Sequence, residues 1–97
     1  MKLTDLLNEN YKVYHKSFSE AAQEAIKVAK KKGFDVDEED WQNEVAMGGR
    51  YNRARPATGD THDFKVALTK NGKPTKKFLV FQVYGMKNQF ELNAYIS

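Results

Sequence analysis

The alternation of apolar and polar residues along the last third of the chain predicts three β-strands. In the first and third strands, at residues 63–69 and 89–96, apolar side chains occupy every second position, as in a sheet with one buried face. The strand between them, at residues 77–84, is largely apolar on both faces, which indicates a central strand. Together these segments predict an antiparallel β-meander.

The register of the meander depends on the connection between its first two strands. Asn71 and Gly72 form a strong hairpin signal, but a strict two-residue turn there would place Val66 opposite Lys77. We therefore favour a four-residue connection through residues 72–75, which aligns three inward pairs: Leu68 with Leu79, Val66 with Phe81, and Phe64 with Val83. The third strand then continues this face with Phe90, Leu92 and Ala94 opposite Val83, Phe81 and Leu79, and Ile96 follows on the same side.

A helix over residues 18–32 is predicted to cover this inward face. Ser17 and Glu20 have the spacing of a capping box, and Gly33 suits the left-handed position of a Schellman motif. The residues that would pack on the sheet follow helical spacing: Phe18, Ala21, Ala22, Ala25, Ile26 and Ala29.

Residues 38–47 fit two kinds of secondary structure. Asp37 can cap a short helix with an acidic first turn, and Gly48 can end it. The same residues alternate in polarity and could form a fourth strand. We favour the helix, and Trp41 is expected to anchor the core in both cases.

The composition is typical of one small domain spanning residues 1–97. The 97 residues provide apolar side chains for one core, and the absence of cysteine excludes disulfides and thiolate metal sites. An intracellular setting is expected, and no apolar run is long enough to predict a membrane span.

Charge is unevenly distributed along the chain. Residues 1–44 contain seven lysines and ten acidic residues, giving −3, whereas residues 45–97 contain nine basic and three acidic residues, giving +6. Such a split can direct a polyanion to one end of the molecule or pair one copy with another.

The basic half contains a candidate polyanion-binding surface. Residues 48–61 are rich in Gly, Arg and Pro and form an unusually long connection. Arginines with a neighbouring tyrosine suit phosphate contact and base stacking. The candidate residues are Arg50, Tyr51, Arg53 and Arg55 in this loop, and Lys70, Lys73, Lys76 and Lys77 around the hairpin.

No residue pattern predicts an enzyme, a cofactor or a metal site. His15 and His62 lack the paired spacing of a zinc site. Asp60 and Asp63 could orient His62 for base catalysis, but a solvated polar loop is the favoured interpretation. The acidic residues between 35 and 44 lack the ligand pattern of an EF-hand and are better explained as an exposed helix start.

The second face of the central strand predicts self-association. One helix covers only one side of a sheet, so the other side needs either the N-terminal segment or a second copy of the protein. The residues concerned are Phe78, Val80, Tyr84 and Tyr95. A homo-oligomer is therefore expected.

The first residues of the chain also follow helical spacing. Leu3, Leu6, Leu7, Tyr11 and Tyr14 fall on one face, with Thr4 available as a cap. This pattern predicts an N-terminal amphipathic helix.

Residues 1–9 resemble the capsid-targeting propeptides of internal head proteins of T-even-type tailed phages. Those propeptides begin with a similar Met-Lys stretch and end in an aliphatic-x-Glu site that the prohead protease cuts. The resemblance implies a cut between Glu9 and Asn10, with Leu7 at the aliphatic position. Residues 68–74 and 82–86 are also similar to small uncharacterised proteins of marine T-even-like phages.

The sequence thus predicts an α+β domain with one main helix on an antiparallel sheet. The favoured function is that of a small, non-enzymatic phage-type protein that acts by binding. The resemblance implies the host cytoplasm or the virion interior as its location and phage head proteins as partners. The alternative is a nucleic-acid-binding module that uses the basic loop and the hairpin tip.

Overall fold

The protein has an α+β fold in which one long helix packs on a five-stranded antiparallel sheet. The computed structural model describes residues 11–46 and 56–97. The sheet order is β1-β5-β4-β3-β2, and every pair of neighbouring strands is antiparallel. The elements in chain order are β1 (Tyr14–His15), α1 (Phe18–Lys31), β2 (Asp35–Val36), α2 (Glu38–Trp41) with a π-helical turn (Gln42–Ala46), β3 (Thr61–Lys70), β4 (Lys73–Gly85) and β5 (Phe90–Ile96). The predicted fold class is confirmed.

Both predicted ends of helix α1 are present. The Ser17 hydroxyl accepts a hydrogen bond of 3.1 Å from the Glu20 amide, as an N-cap does. The Glu20 side chain bonds to His15 and Lys12 and not to the Ser17 amide, so only the Ser17 half of the predicted capping box is formed. At the other end, Gly33 has a φ of 89°, and the Phe34 amide donates to the Ala29 carbonyl at 3.1 Å. These are the features of a Schellman motif, and the helix ends at Lys31, one residue earlier than predicted.

The buried stripe of α1 consists mainly of alanines, which let the helix lie close to the sheet. Ile26 was expected in this stripe but is only half-buried, and Val28 lies in the core in addition to the predicted alanines. Residues 21, 25 and 28 follow one line along the helix, and this line faces the sheet. The buried residues are Ala21, Ala22, Ala25, Val28 and Ala29.

The favoured helix after residue 37 is confirmed. The Asp37 carboxylate caps it by accepting from the Asp40 amide at 3.0 Å. Helix α2 is tied to strand β3, because the Ala67 amide donates to the Asp40 carboxylate at 2.8 Å and the Ala67 carbonyl accepts from the Asp37 amide at 2.9 Å. Trp41 packs on the core as predicted, while the proposed stop at Gly48 lies outside the described residues.

The inward face of the meander is the one that the sequence predicted. Ile96, also predicted on this face, is half-buried and packs against the core. The other nine predicted residues are buried: Phe64, Val66, Leu68, Leu79, Phe81, Val83, Phe90, Leu92 and Ala94. The strands β3 and β4 are longer than predicted, because the hairpin between them is tighter.

The predicted four-residue connection between β3 and β4 is wrong. Asn71 and Gly72 form a two-residue turn between Lys70 and Lys73, with φ values of 54° and 77° that fit a type I′ turn. Without a further irregularity, this turn would place Val66 opposite Lys77. A β-bulge prevents this, because Leu68 alone lies opposite the three β4 residues 75–77.

The side chain of Thr75 satisfies the backbone inside this bulge. Its hydroxyl donates to the Leu68 carbonyl at 2.8 Å and accepts from the Lys77 amide at 3.1 Å. Beyond the bulge, Phe64 lies opposite Phe81 rather than Val83. The predicted register therefore differs by two residues from the observed one, and an even shift keeps every side chain on its predicted face.

The second hairpin differs from its prediction by the same amount. Val83 lies opposite Leu92 and not Phe90, because β4 continues to Gly85 before a four-residue connection. The Met86 amide donates to the Gln89 carbonyl at 2.9 Å within this connection.

The prediction of an N-terminal helix is wrong for Tyr11 and Tyr14. Both residues precede α1 in extended or irregular backbone, and Tyr14 belongs to strand β1. The edge of β5 provides hydrogen-bond partners for this segment, since the Leu92 amide donates to the Val13 carbonyl at 2.7 Å. The short strands β1 and β2 were not predicted. Leu3, Leu6 and Leu7 lie outside the described residues.

Candidate binding face of the sheet

One face of the sheet carries no helix in the part of the chain that the structure describes. Both α1 and the Trp41 ring of α2 pack on the inward face. We call the opposite side the open face. Its aromatic side chains remain accessible: Tyr14 and Tyr95 are each 48% exposed, and Tyr84 is 38% exposed.

The antiparallel register arranges the open face in cross-strand rows. The row nearest the β4–β5 connection contains Tyr14, Glu91, Tyr84 and Thr61, from β1, β5, β4 and β3. The next row contains Asn93, Gln82 and Asp63, and the Asn93 amide donates to the Gln82 side-chain oxygen at 3.2 Å. A third row contains Tyr95, Val80 and Lys65.

The apolar part of the open face is concentrated at one end. Phe78 and Val80 are half-buried, and the Lys65 ammonium lies 4.4 Å from the centre of the Phe78 ring. This is a cation–π contact, and the lysine stem shields part of the apolar surface. The predicted self-association residues therefore do share one accessible face.

The charges of the open face do not by themselves favour a polyanion. The three rows contain two carboxylates, Asp63 and Glu91, and one cation, Lys65, and Lys76 continues the outward positions of β4 towards the hairpin turn. Mixed charge with exposed tyrosines is more typical of a protein-binding surface.

The predicted polyanion-binding residues are only partly described. Lys70, Lys73, Lys76 and Lys77 are exposed around the β3–β4 turn, and the Lys70 ammonium lies 5.7 Å from the Phe34 ring centre. The loop residues of this prediction, Arg50, Tyr51, Arg53 and Arg55, lie outside the described residues.

His15 forms a buried polar cluster that the sequence did not reveal. Its side chain is 1% exposed, with Nδ1 2.9 Å from the Glu20 carboxylate and Nε2 2.7 Å from the Lys12 carbonyl. Both ring nitrogens are thus occupied by protein oxygens, so the ring holds β1 against α1 and has no nitrogen left for catalysis. The signal that could have revealed its burial is the alternation of residues around position 15, because it places His15 and Tyr14 on different faces of one strand.

His62 does not form the arrangement that base catalysis would need with Asp63. The two residues are neighbours on β3, so their side chains point to opposite faces of the sheet. His62 is half-buried, and its ring lies 6.5 Å from that of Phe64 on the inward side. Across residues 11–46 and 56–97, no group of three His, Asp or Glu side chains could hold a metal ion.

A shallow pocket of about 310 Å³ lies beside the β4–β5 connection. Its walls are the segment at residues 56–58, the connection at residues 86–89, Lys16 and Phe90. No buried ionisable side chain lines it, and it has no feature that would select a particular ligand.

Comparisons with known proteins provide no basis for a functional assignment, which therefore depends on the fold and the open face. No protein-family model, curated protein or solved structure matches this chain. The helices that the structure describes are too short and too polar to cross a bilayer.

The His15 cluster gives a prediction about pH and stability. Hydrogen bonds from His15 and then Lys12 hold the pKa of Glu20 below its ordinary value of 4.5. A lowered pKa in the folded state means that Glu20 stabilises the fold above pH 4.5 and loses this effect as the pH falls through the folded-state value. We expect Glu20→Gln to be less stable than the native chain at neutral pH, and the difference to shrink in acid.

Urea unfolding between pH 3 and 7 measures this difference. Glu39→Gln is the control, because Glu39 is exposed and forms none of the ion pairs found in the described residues. A Glu20→Gln difference that stays constant across the pH range would contradict the assignment.

Proposed function

We propose that this chain is a small, non-enzymatic phage-type protein that acts by binding, and that its binding surface is the open face of the sheet. The observation that carries the proposal is the set of three accessible tyrosines, Tyr14, Tyr84 and Tyr95, on a face without a helix in the described residues. Tyrosine provides large contact area with little loss of side-chain entropy, which is why it is enriched at interfaces.

The partner that we propose for the apolar end of this face is a second copy of the chain. A two-fold interface brings the same patch of both copies together, so the patch must be complementary to itself. The open face meets this condition because it carries Lys65 as well as Glu91 and Asp63 around Val80 and Tyr95. Burial of Phe78, Val80, Tyr84 and Tyr95 would provide the apolar driving force.

Substitution of Tyr95 by lysine tests this association. Tyr95 is half exposed, so the fold should tolerate the change, whereas a two-fold contact would bring two new charges into one interface. We expect the native chain to dimerise with rising concentration, and Tyr95→Lys to raise the dimer dissociation constant at least tenfold. Sedimentation equilibrium over a wide concentration range measures both.

Gln23→Lys is the matched control. Gln23 is exposed on α1, so this substitution adds the same charge away from the open face. It should dimerise like the native chain. A native chain that stays monomeric at all concentrations, or equal weakening by both variants, would contradict the proposed interface.

The other functional expectations stay predictions. The nucleic-acid alternative is supported by the four exposed lysines of the hairpin tip, while its arginines are outside the described residues. Cleavage after Glu9 and packaging in a phage head rest on residues 1–9, which are outside them as well.

A further inference from the structure

Glu91 lies between two accessible aromatic rings on the open face. Tyr14 of β1 and Tyr84 of β4 are its direct cross-strand neighbours, one on each side. The inward residues of the same strands fix this orientation, because His15, Phe90 and Leu92 are buried on the other face. The same row thus places one carboxylate between two tyrosine side chains, and we call these three residues the slot.

The spacing of the slot suits a planar cation. Neighbouring strands lie about 4.8 Å apart, so the backbones that carry the two tyrosines are separated by roughly 9.6 Å. A group midway between the rings would lie about 5 Å from each, within the range of about 6 Å in which a cation is attracted to an aromatic face. Both rings can therefore act on one cation.

The charge of the slot is uncompensated in the described residues. Glu91 is half-buried and takes part in none of their ion pairs, which join Glu20 to Lys12 and His15 and Glu24 to Lys27. The cation of the three rows, Lys65, lies two rows away over the Phe78 ring. A partly desolvated carboxylate gains most from a ligand that brings both positive charge and hydrogen-bond donors.

We propose that the slot formed by Tyr14, Glu91 and Tyr84 binds the guanidinium group of an arginine side chain on a protein partner. The planar group lies between the two rings, attracted to both, while its N–H donors face the Glu91 carboxylate. An ammonium group can satisfy the charge but lacks the planar fork of donors that matches a carboxylate. The inference rests on the proposed role of the open face in protein binding, and it does not require the partner to be a second copy.

Titration with Nα-acetyl-L-arginine amide tests the slot, because this probe carries a single guanidinium charge. The experiment uses the full chain, below its association concentration, and follows the tyrosine ring signals by NMR. We expect millimolar affinity, on the order of that for a small fragment, with shifts at Tyr14 and Tyr84. Tyr95 is the internal control, since it is as exposed as Tyr14 and lies on the same face, but its neighbour is Val80 and not Glu91.

Variants assign the binding to the three residues. We expect at least fivefold weaker binding of the probe in Glu91→Gln, Tyr14→Ala and Tyr84→Ala. Asp63→Asn removes a carboxylate elsewhere on the open face and should leave the affinity for the probe unchanged. Equal shifts at all three tyrosines, or equal weakening by Asp63→Asn, would overturn the slot. Equally tight binding of tetramethylammonium would overturn the guanidinium assignment.

The result is separable from that for the dimer. Probe binding by Tyr95→Lys, in which association is weakened, would support the slot on its own. A dimer that forms normally in a chain that does not bind the probe would overturn the slot and leave the proposed self-association intact.

Discussion

Replacing Phe81 by alanine should lower the free energy of unfolding by about 3–5 kcal/mol, the range for loss of a buried phenylalanine ring. Phe81 is fully buried in β4, the middle strand of the sheet. Its ring stacks on that of Phe64 at a centroid distance of 4.8 Å and on that of Trp41 at 5.7 Å. Because residues from two strands and from α2 surround the ring, the cavity left by alanine cannot close by movement of one side chain.

Phe78→Ala is the matched control for this substitution. It removes the same ring from the same strand, but from the open face, where Phe78 is half-buried and contacts Lys65. We expect a clearly smaller loss of unfolding free energy, measured with urea, because folding removes less apolar surface from water at this position. Equal losses for the two variants would show that the open face is packed like the core, contrary to the proposed binding surface.

Most of the core could be predicted from the sequence because the period of a strand decides its buried face. The alternation in residues 63–69 and 89–96 placed Phe64, Leu92 and Ala94 inward without knowledge of their partners. The local signals at the ends of α1 were equally informative. Ser17 and Gly33 act through backbone geometry that depends on a few neighbouring residues only.

The register could not be predicted because two features compensate each other. The Asn71-Gly72 turn alone gives the wrong burial, and the bulge opposite Leu68 corrects it. A bulge interrupts the hydrogen bonds of the backbone, and a side chain can replace them. Here Thr75 does so by bonding to the Leu68 carbonyl of β3 and the Lys77 amide of β4. Such a contact is visible only after the two strands have been aligned.

The part of the candidate site on β1 was harder to predict than the part on β4 and β5. Tyr84 and Tyr95 were expected on the open face from strand alternation. Tyr14 was assigned to a helix, so its position beside Glu91 was missed. The same error hid the burial of His15, because both follow from the pairing of β1 with the distant strand β5.

Substitution of Gly85 by alanine should destabilise the protein by about 1–3 kcal/mol or more, the range for an added group in a packed site. A Cβ atom at this position would overlap the Ala57 carbonyl oxygen and lie 2.9 Å from the Pro56 carbonyl oxygen. Both contacts are with backbone, so no side-chain rotation can relieve them. Residues 56–60 would have to move away from β4.

Hydrogen bonds make this movement measurable. The Gly59 amide donates to the Gly85 carbonyl at 2.7 Å, and the Gly85 amide donates to the Asp60 carbonyl at 2.9 Å. In Gly85→Ala, both bonds should weaken, and the Gly59 amide should exchange its hydrogen faster than in the native chain. Native-state hydrogen exchange, together with urea unfolding, tests the two parts of this prediction.

Gly72→Ala separates steric overlap from the ordinary cost of replacing glycine. Gly72 has a φ of 77° but open space around its Cβ position, so alanine there should cost about 1–2 kcal/mol through backbone strain alone. It should leave exchange at Gly59 unchanged, because the turn lies at the opposite end of β4 from Gly85. A Gly85→Ala variant with native stability and native exchange at Gly59 would show that residues 56–60 do not lie against the end of β4.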